Sequence, residues 1–357
     1  MAEFWAGLSE PSRLAAVMLA IGIAISLSFL LWLFNPTTLC GPLGAYLPQN
    51  RIDSHAFVTV DTLRLARSKQ TRPRILMLGA STIEQPFGDG QSLHRAIAGQ
   101  SGQDWEVHVL AAASQSPLEQ MSILETALEG RGPEDPSVVV TMTAGLWRAT
   151  WTRERMLGPE SLGRLGLRSK WADEEMQHLG GTPGLRTGFY VADNFRFLAT
   201  NSIMTLRQLA LNSPSERLFS PHARTPPRTG QARFRRGTPE AIEGALTEFD
   251  AYIAQLERMI LRLQDVPGVQ LVLFEDLMSP DVPDLLGIED HVHELDRRIL
   301  EVSSRHNVPF WRIGSDAELG PNDYNDAVHT KTGEPQGKVV AVTAERFAEF
   351  FKSQETL

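Results

Sequence analysis

The sequence predicts an α/β domain with a largely parallel five-stranded sheet and helices on both faces, preceded by one apolar N-terminal helix. Three observations carry this. Five short apolar runs recur along the chain: Ile75–Leu78, Val107–Leu110, Val138–Thr141, Val269–Phe274 and Val308–Ile313. Segments of helical periodicity separate them, the pattern of parallel strands joined by crossover helices. Ahead of them stands a single stretch of 21 residues without a charge, Leu14 to Phe34.

That stretch reads as a retained transmembrane helix over 14–34, after a short tail at 1–13. At about 1.5 Å per residue, a helix of this length crosses a hydrocarbon core of roughly 30 Å. The alternative is a cleaved signal peptide, whose apolar run is normally only about 7–15 residues. The exit through Trp32, Phe34, Asn35 and Pro36, interfacial aromatics and then a helix breaker, favours the anchor. Arg13 is the only basic residue before the run and Arg51 the first one well after it, which places the N-terminus inside. The expectation is a single-pass protein of the cell inner (cytoplasmic) membrane with an extracytoplasmic, periplasmic domain. Residues 35–72 read as a juxtamembrane linker and 73–357 as the domain.

Within the domain, Ser116-Pro-Leu-Glu119 is a capping box that opens a helix running to about Leu128. Thr238-Pro-Glu240 opens another, in which Ile242, Leu246, Phe249, Ile253, Leu256, Ile260 and Leu263 form one continuous apolar face. Helices follow over His291–Arg305 and from about Pro335 to Phe351. An insertion at about 148–237, rich in Gly, Pro and Arg, interrupts the rhythm; such a loop is either a functional lid or irregular.

The formal net charge of −9 over 357 residues argues against nucleic acid as the main partner. Charge is uneven, however: between Asn201 and Arg236 lie seven arginines and the single acid Glu216. That stretch suits anionic headgroups, an anionic polymer or plain solvent. Cys40 is the only cysteine, which rules out an internal disulfide framework and a cysteine zinc site.

The first strand ends in Leu78-Gly-Ala-Ser-Thr82, so Ser81 falls at the carboxyl end of a strand, where ligands of open α/β sheets bind. A serine hydroxyl becomes a nucleophile only with a base in hydrogen-bond reach and a third group orienting that base. Among nine histidines, His55, His94, His108, His178, His222 and His306 fall in the linker, at structural helix or strand positions, or in the insertion. His291 and His293 are two residues apart on a helix with no third ligand nearby, so no metal is assigned. His329 lies in a polar loop after the fifth strand, with Asp326 three residues before it.

LGAST at 78–82 and YNDAVHTKTG at 324–333 together resemble the SGNH (GDSL-like) hydrolase superfamily, over roughly Arg74 to the C-terminus. The resemblance implies a flavodoxin-like three-layer domain with Ser81 as nucleophile, His329 as base and Asp326 orienting it, and no cofactor or metal. The family's oxyanion hole adds to the serine N–H a glycine from a second block and an asparagine from a third. Here the second block, Ala111–Ser116, has Ala113 or Ser114 at the glycine; the third, Thr141–Trp147, has Gly145 and no asparagine. Losing one such donor costs about 10²–10³ in turnover.

An N-terminal membrane helix before such a domain is similar to DltD-like proteins of teichoic acid D-alanylation and to the anchored acetyltransferase subunits of alginate assembly. That likeness implies O-acylation of a cell-envelope polysaccharide or polymer beside a multispanning membrane-bound O-acyltransferase. Two alternatives stay open: an esterase, deacetylase or thioesterase using the same triad, and a non-catalytic scaffold subunit.

Overall fold

The computed structural model describes residues 11–33, 36–39, 54–158, 161, 163–200 and 238–355. Cys40 and the arginine-rich stretch 201–236 lie outside them.

Five strands form one all-parallel sheet in the order β2-β1-β3-β4-β5. They are β1 (Arg74–Leu78), β2 (Glu106–Val109), β3 (Val138–Ala144), β4 (Val269–Glu275) and β5 (Phe310–Trp311). Side chains alternate between the two faces of a strand, and both faces here are apolar. Leu76, Leu78, Val140, Met142, Leu271 and Leu273 enter one core; Ile75, Met77, Val139, Val272 and Phe274 enter the other. This double burial explains why the strands read as continuous apolar runs. The sheet fits the domain that the resemblance implies. β5 is shorter than the expected Val308–Ile313: only Phe310 and Trp311 pair with β4.

Helix α1 runs Pro11–Leu33, and its side chains over 13–29 are all exposed. Among the described residues no helix is long and apolar enough to cross a membrane. The 14–34 span is therefore not established as a crossing. Near the end of α1, Leu31 packs against a small cluster of Ala56, Val60, Phe197 and Leu198.

Of the expected linker at 35–72, residues 36–39 and 54–72 are among the described ones. Its residues 54–67 form α2 (Ser54–Arg67), which sends Val58 and Leu65 into the main core and Ala56 and Val60 into the small cluster. After β1 come α3 (Ser81–Phe87) and α4 (Gln91–Ser101). The capping box forms as predicted at the start of α5 (Pro117–Ala127): Ser116 Oγ accepts the Glu119 amide while the Glu119 carboxylate accepts the Ser116 amide.

The insertion is not merely a cover over the sheet. Trp151, Met156, Leu165, Leu167 and Leu179 are buried in the main core, as are Ala172 and Met176 of α6 (Lys170–His178). The long helix expected from Thr238 is two, α7 (Thr238–Thr247) and α8 (Phe249–Gln264). They break at Glu248, whose carboxylate accepts the Arg153 amide at 2.8 Å. The apolar period survives the break because both helices face one core. Then come α9 (Glu289–Arg305) and α10 (Glu334–Glu355), the latter laying Phe347 and Phe351 against Trp311 and Trp105.

Candidate active site

Ser81 is the first residue of α3, directly beyond β1. The glycine two residues before it has a steric reason. A Cβ on Gly79 would lie 2.4 Å from Ile83 Cγ1, so only a hydrogen allows α3 to fold this tightly against the strand end. As the opening residue of a helix, Ser81 has a backbone N–H with no acceptor inside that helix.

His329 is presented by a tight loop. An antiparallel bridge joins Tyr324 to Thr330, Asn325 N–H donates to His329 O at 2.7 Å, and Lys331 N–H donates to Asp323 O at 2.7 Å. The Ser279 amide, just past β4, donates to Ala327 O at 2.8 Å and fixes this loop to the sheet edge.

The loop brings the three residues into line. His329 Nδ1 lies 2.7 Å from Asp326 Oδ2, and His329 Nε2 lies 2.8 Å from Ser81 Oγ. The other carboxylate oxygen of Asp326 accepts the amides of Val328 and His329, each at 2.9 Å. An ionised carboxylate only accepts, so Nδ1 carries the proton and Nε2 is left to accept from the serine hydroxyl. Asp326 and His329 are each 7% exposed and Ser81 is half-buried, which leaves the hydroxyl as the accessible end of the relay. Burial pushes the Asp326 carboxyl up, but the His329 hydrogen bond and the two amides outweigh it and hold it below the ordinary carboxylate value.

The expected oxyanion donors divide. Ala113 and Ser114 lie exposed in the turn after β2, the neighbour of β1, with Leu110 N–H donating to Met77 O at 2.8 Å where the two strands part. Ser114 takes a positive φ of 54°. That turn stands at the sheet edge carrying Ser81. The third, Gly145, has its amide donating to the Tyr252 hydroxyl at 3.1 Å. Its φ of 153°, and the Asp276 Cβ only 3.0 Å from where a Cβ would stand, explain why a glycine occupies this turn.

Arg148 and Tyr252 carry no sequence signal and were not among the expected site residues. The buried Arg148 donates through Nη1 to Gln115 O at 2.7 Å, and its amide donates to Asp276 Oδ2 at 2.9 Å. It thereby ties together the loops that follow β2, β3 and β4. Beside it a cavity of about 230 Å³ opens at the carboxyl ends of β3 to β5, lined by Gly145, Trp147, Glu275, Asp276, Gly314 and Tyr324 among others. Burial pushes Asp276 up to about 6 against the pull of Arg148. Burial, reinforced by the negative charge of Asp296, pushes Glu275 up to about 7. Among the described residues no group of three or more His, Cys, Asp or Glu is placed to hold a metal ion.

No family model and no curated protein matches the chain. Among solved structures it is similar to a protein named a GDSL-like lipase from Parabacteroides merdae, at 12% identity and a TM-score of 0.39. That match covers 79% of this chain and 97% of the other. It is also similar to the inhibitor-bound aryl esterase of M. smegmatis, at 13% identity and a TM-score of 0.33, covering 78% and 99%.

Proposed function

We propose that the chain is a serine-dependent ester-processing enzyme of the SGNH type. Ser81 Oγ attacks an acyl carbonyl while His329 takes its proton, and the leaving group departs with that proton. A second hydroxyl then attacks the acyl-serine carbonyl as His329 takes its proton, the bond from Ser81 Oγ to the acyl carbon breaks, and His329 returns the proton to Ser81 Oγ. Asp326 orients the imidazole and stabilises its cationic form. The observation that carries this reading is the unbroken pair of hydrogen bonds from Asp326 through His329 to Ser81, at 2.7 and 2.8 Å.

The finer reading is transfer rather than hydrolysis: a membrane-anchored O-acyltransferase for a cell-envelope polysaccharide or polymer, working beside a multispanning membrane-bound O-acyltransferase. It is supported by the bare, uncharged surface of α1 over 14–29. It is also supported by the mounting of Leu31 against the same cluster that holds α2. Hydrolysis of an ester by the same triad is the second reading, favoured by the exposed turn at Ala113 and Ser114, which leaves one side of the relay open to water. The aligned relay counts against a non-catalytic scaffold.

The test is labelling of the detergent-solubilised full-length protein by a fluorophosphonate probe, beside Ser81→Ala and His329→Ala. Labelling of the parent that vanishes in both variants supports the acyl-serine mechanism. A folded parent that takes no label refutes it for the isolated chain. Acyl release from a model ester, with and without a polyol acceptor, then separates transfer from hydrolysis.

A further inference from the structure

Beyond α1, the three most exposed large apolar side chains lie within eleven residues of one another. Leu185 is 85% exposed, Phe189 75% and Phe195 67%. They are also the most exposed large hydrophobics in the described chain, α1 included. Three such exposures within one short segment are more than singly scattered surface apolar residues.

The segment is mounted from beneath. Phe197 and Leu198 form a small cluster with Ala56 and Val60 of α2, and Tyr190 and Val191 of the short helix Tyr190–Asp193 pack against it, as does Leu31 from the end of α1. The segment that carries the three exposed side chains and the end of the apolar helix thus pack against one and the same cluster. Two arginines interleave with the apolar residues, both exposed: Arg186, which also pairs with Asp173 at 3.2 Å, and Arg196. The sequence continues from here into the stretch with seven arginines and one acid. Aromatic side chains interleaved with arginines, beside an apolar helix, match the chemistry of a bilayer's headgroup boundary, where amphipathic rings and cations both find partners.

We propose that residues 185–196 are a membrane-contacting surface: Leu185, Phe189 and Phe195 enter the headgroup boundary of an anionic bilayer, and Arg186 and Arg196 face its phosphates. This rests on reading α1 as the anchor in that same bilayer. The surface gives the domain a second point of contact, so it lies against the membrane instead of swinging from one helix.

The test uses the full-length chain with Cys40→Ser, reconstituted into vesicles of phosphatidylethanolamine and phosphatidylglycerol. A single environment-sensitive fluorophore is placed in turn at Phe189→Cys, Phe195→Cys, Ile21→Cys on α1, and Glu345→Cys on α10. Lipids carrying a nitroxide near the headgroup or deep in the acyl chain serve as quenchers, and circular dichroism matched to the parent certifies the fold of each variant. The expected result is blue-shifted emission at 189 and 195 with quenching by the headgroup nitroxide. Position 21 should be quenched by the deep nitroxide, and position 345 should behave as in water. Water-like, unquenched emission at 189 and 195 while position 21 is quenched overturns the surface and keeps the anchor. Loss of quenching at position 21 as well overturns both.

Discussion

The amide of Gly145 donates to the hydroxyl of Tyr252 across 3.1 Å, joining the turn after β3 to α8. The glycine expected to stabilise an oxyanion thus meets a buried tyrosine instead of open cleft. Burial raises the Tyr252 hydroxyl far above its ordinary value, so it stays neutral at every physiological pH and keeps accepting. Tyr252→Phe strands a buried N–H, and we expect a loss of about 1–3 kcal/mol in stability by chemical denaturation. Fluorophosphonate labelling of Ser81 in this variant should stay within a few-fold of the parent. A collapse of labelling in a folded Tyr252→Phe protein would return Gly145 to the reacting centre.

The three relay residues should lose activity in graded fashion. Ser81→Ala and His329→Ala each remove a partner that acts as part of a unit, and ester turnover should fall by on the order of 10⁴–10⁶. The double variant should be hardly worse than either single one. Asp326→Asn keeps the shape of the loop but permits the wrong tautomer, with a loss on the order of 10⁴. Additive losses would contradict a shared mechanism.

Gly79→Ala tests the tight turn. The added methyl meets Ile83, 2.4 Å from Cγ1 and 2.9 Å from Cβ, and α3 must shift to admit it. Overpacking of this kind costs about 1–3 kcal/mol. Because Ser81 begins the helix that moves, turnover should drop at temperatures where the variant is still folded. Gly79→Ala with Ile83→Ala should recover part of it.

Glu275 gives the fold a dependence on pH. Its carboxyl is raised from an ordinary 4.5 to about 7, so between those values the folded chain holds a proton that the unfolded chain has released. Stability therefore falls as pH rises from about 4.5 to 7; the penalty is absent below that window and complete above it, at roughly 3 kcal/mol. Glu275→Gln should flatten the profile and raise the denaturation midpoint at pH 8 with little change at pH 4.5. Asp326 works with the opposite sign, since its depressed value lends stability that is lost only as pH drops below the ordinary carboxylate range.

Much of this site was legible in the sequence because its parts are local. A strand that ends in Gly-x-Ser and a D-x-x-H loop are each a few residues long, and both need only arrive at one sheet edge. His94 and His306, set aside at the sequence level, do have structural partners: Trp105 O at 2.7 Å and Glu257 at 2.7 Å. What escaped was set by tertiary packing. Nothing in Ser54–Arg67 marks a helix gripped on two sides, because its apolar residues divide between two clusters instead of forming one stripe. The burial of Arg148 depends on Gln115 and Asp276, residues distant in sequence that meet only when three loops converge. The break at Glu248 leaves the hydrophobic period intact, and so gives no warning.

The relay also has a consequence in time. Ser81 and His329 are separated by 248 positions. At a synthesis rate of about 5–20 residues per second, the serine precedes its base by roughly 12–50 s. For that interval the nucleophile exists as an ordinary alcohol, inert towards any ester it meets. Activity begins only when the loop at 324–330 docks beside β4 and α10 closes over the sheet, so the last segment to be made is the one that arms the first. A chain cut short before Asp326 is silent, however well its earlier strands have paired.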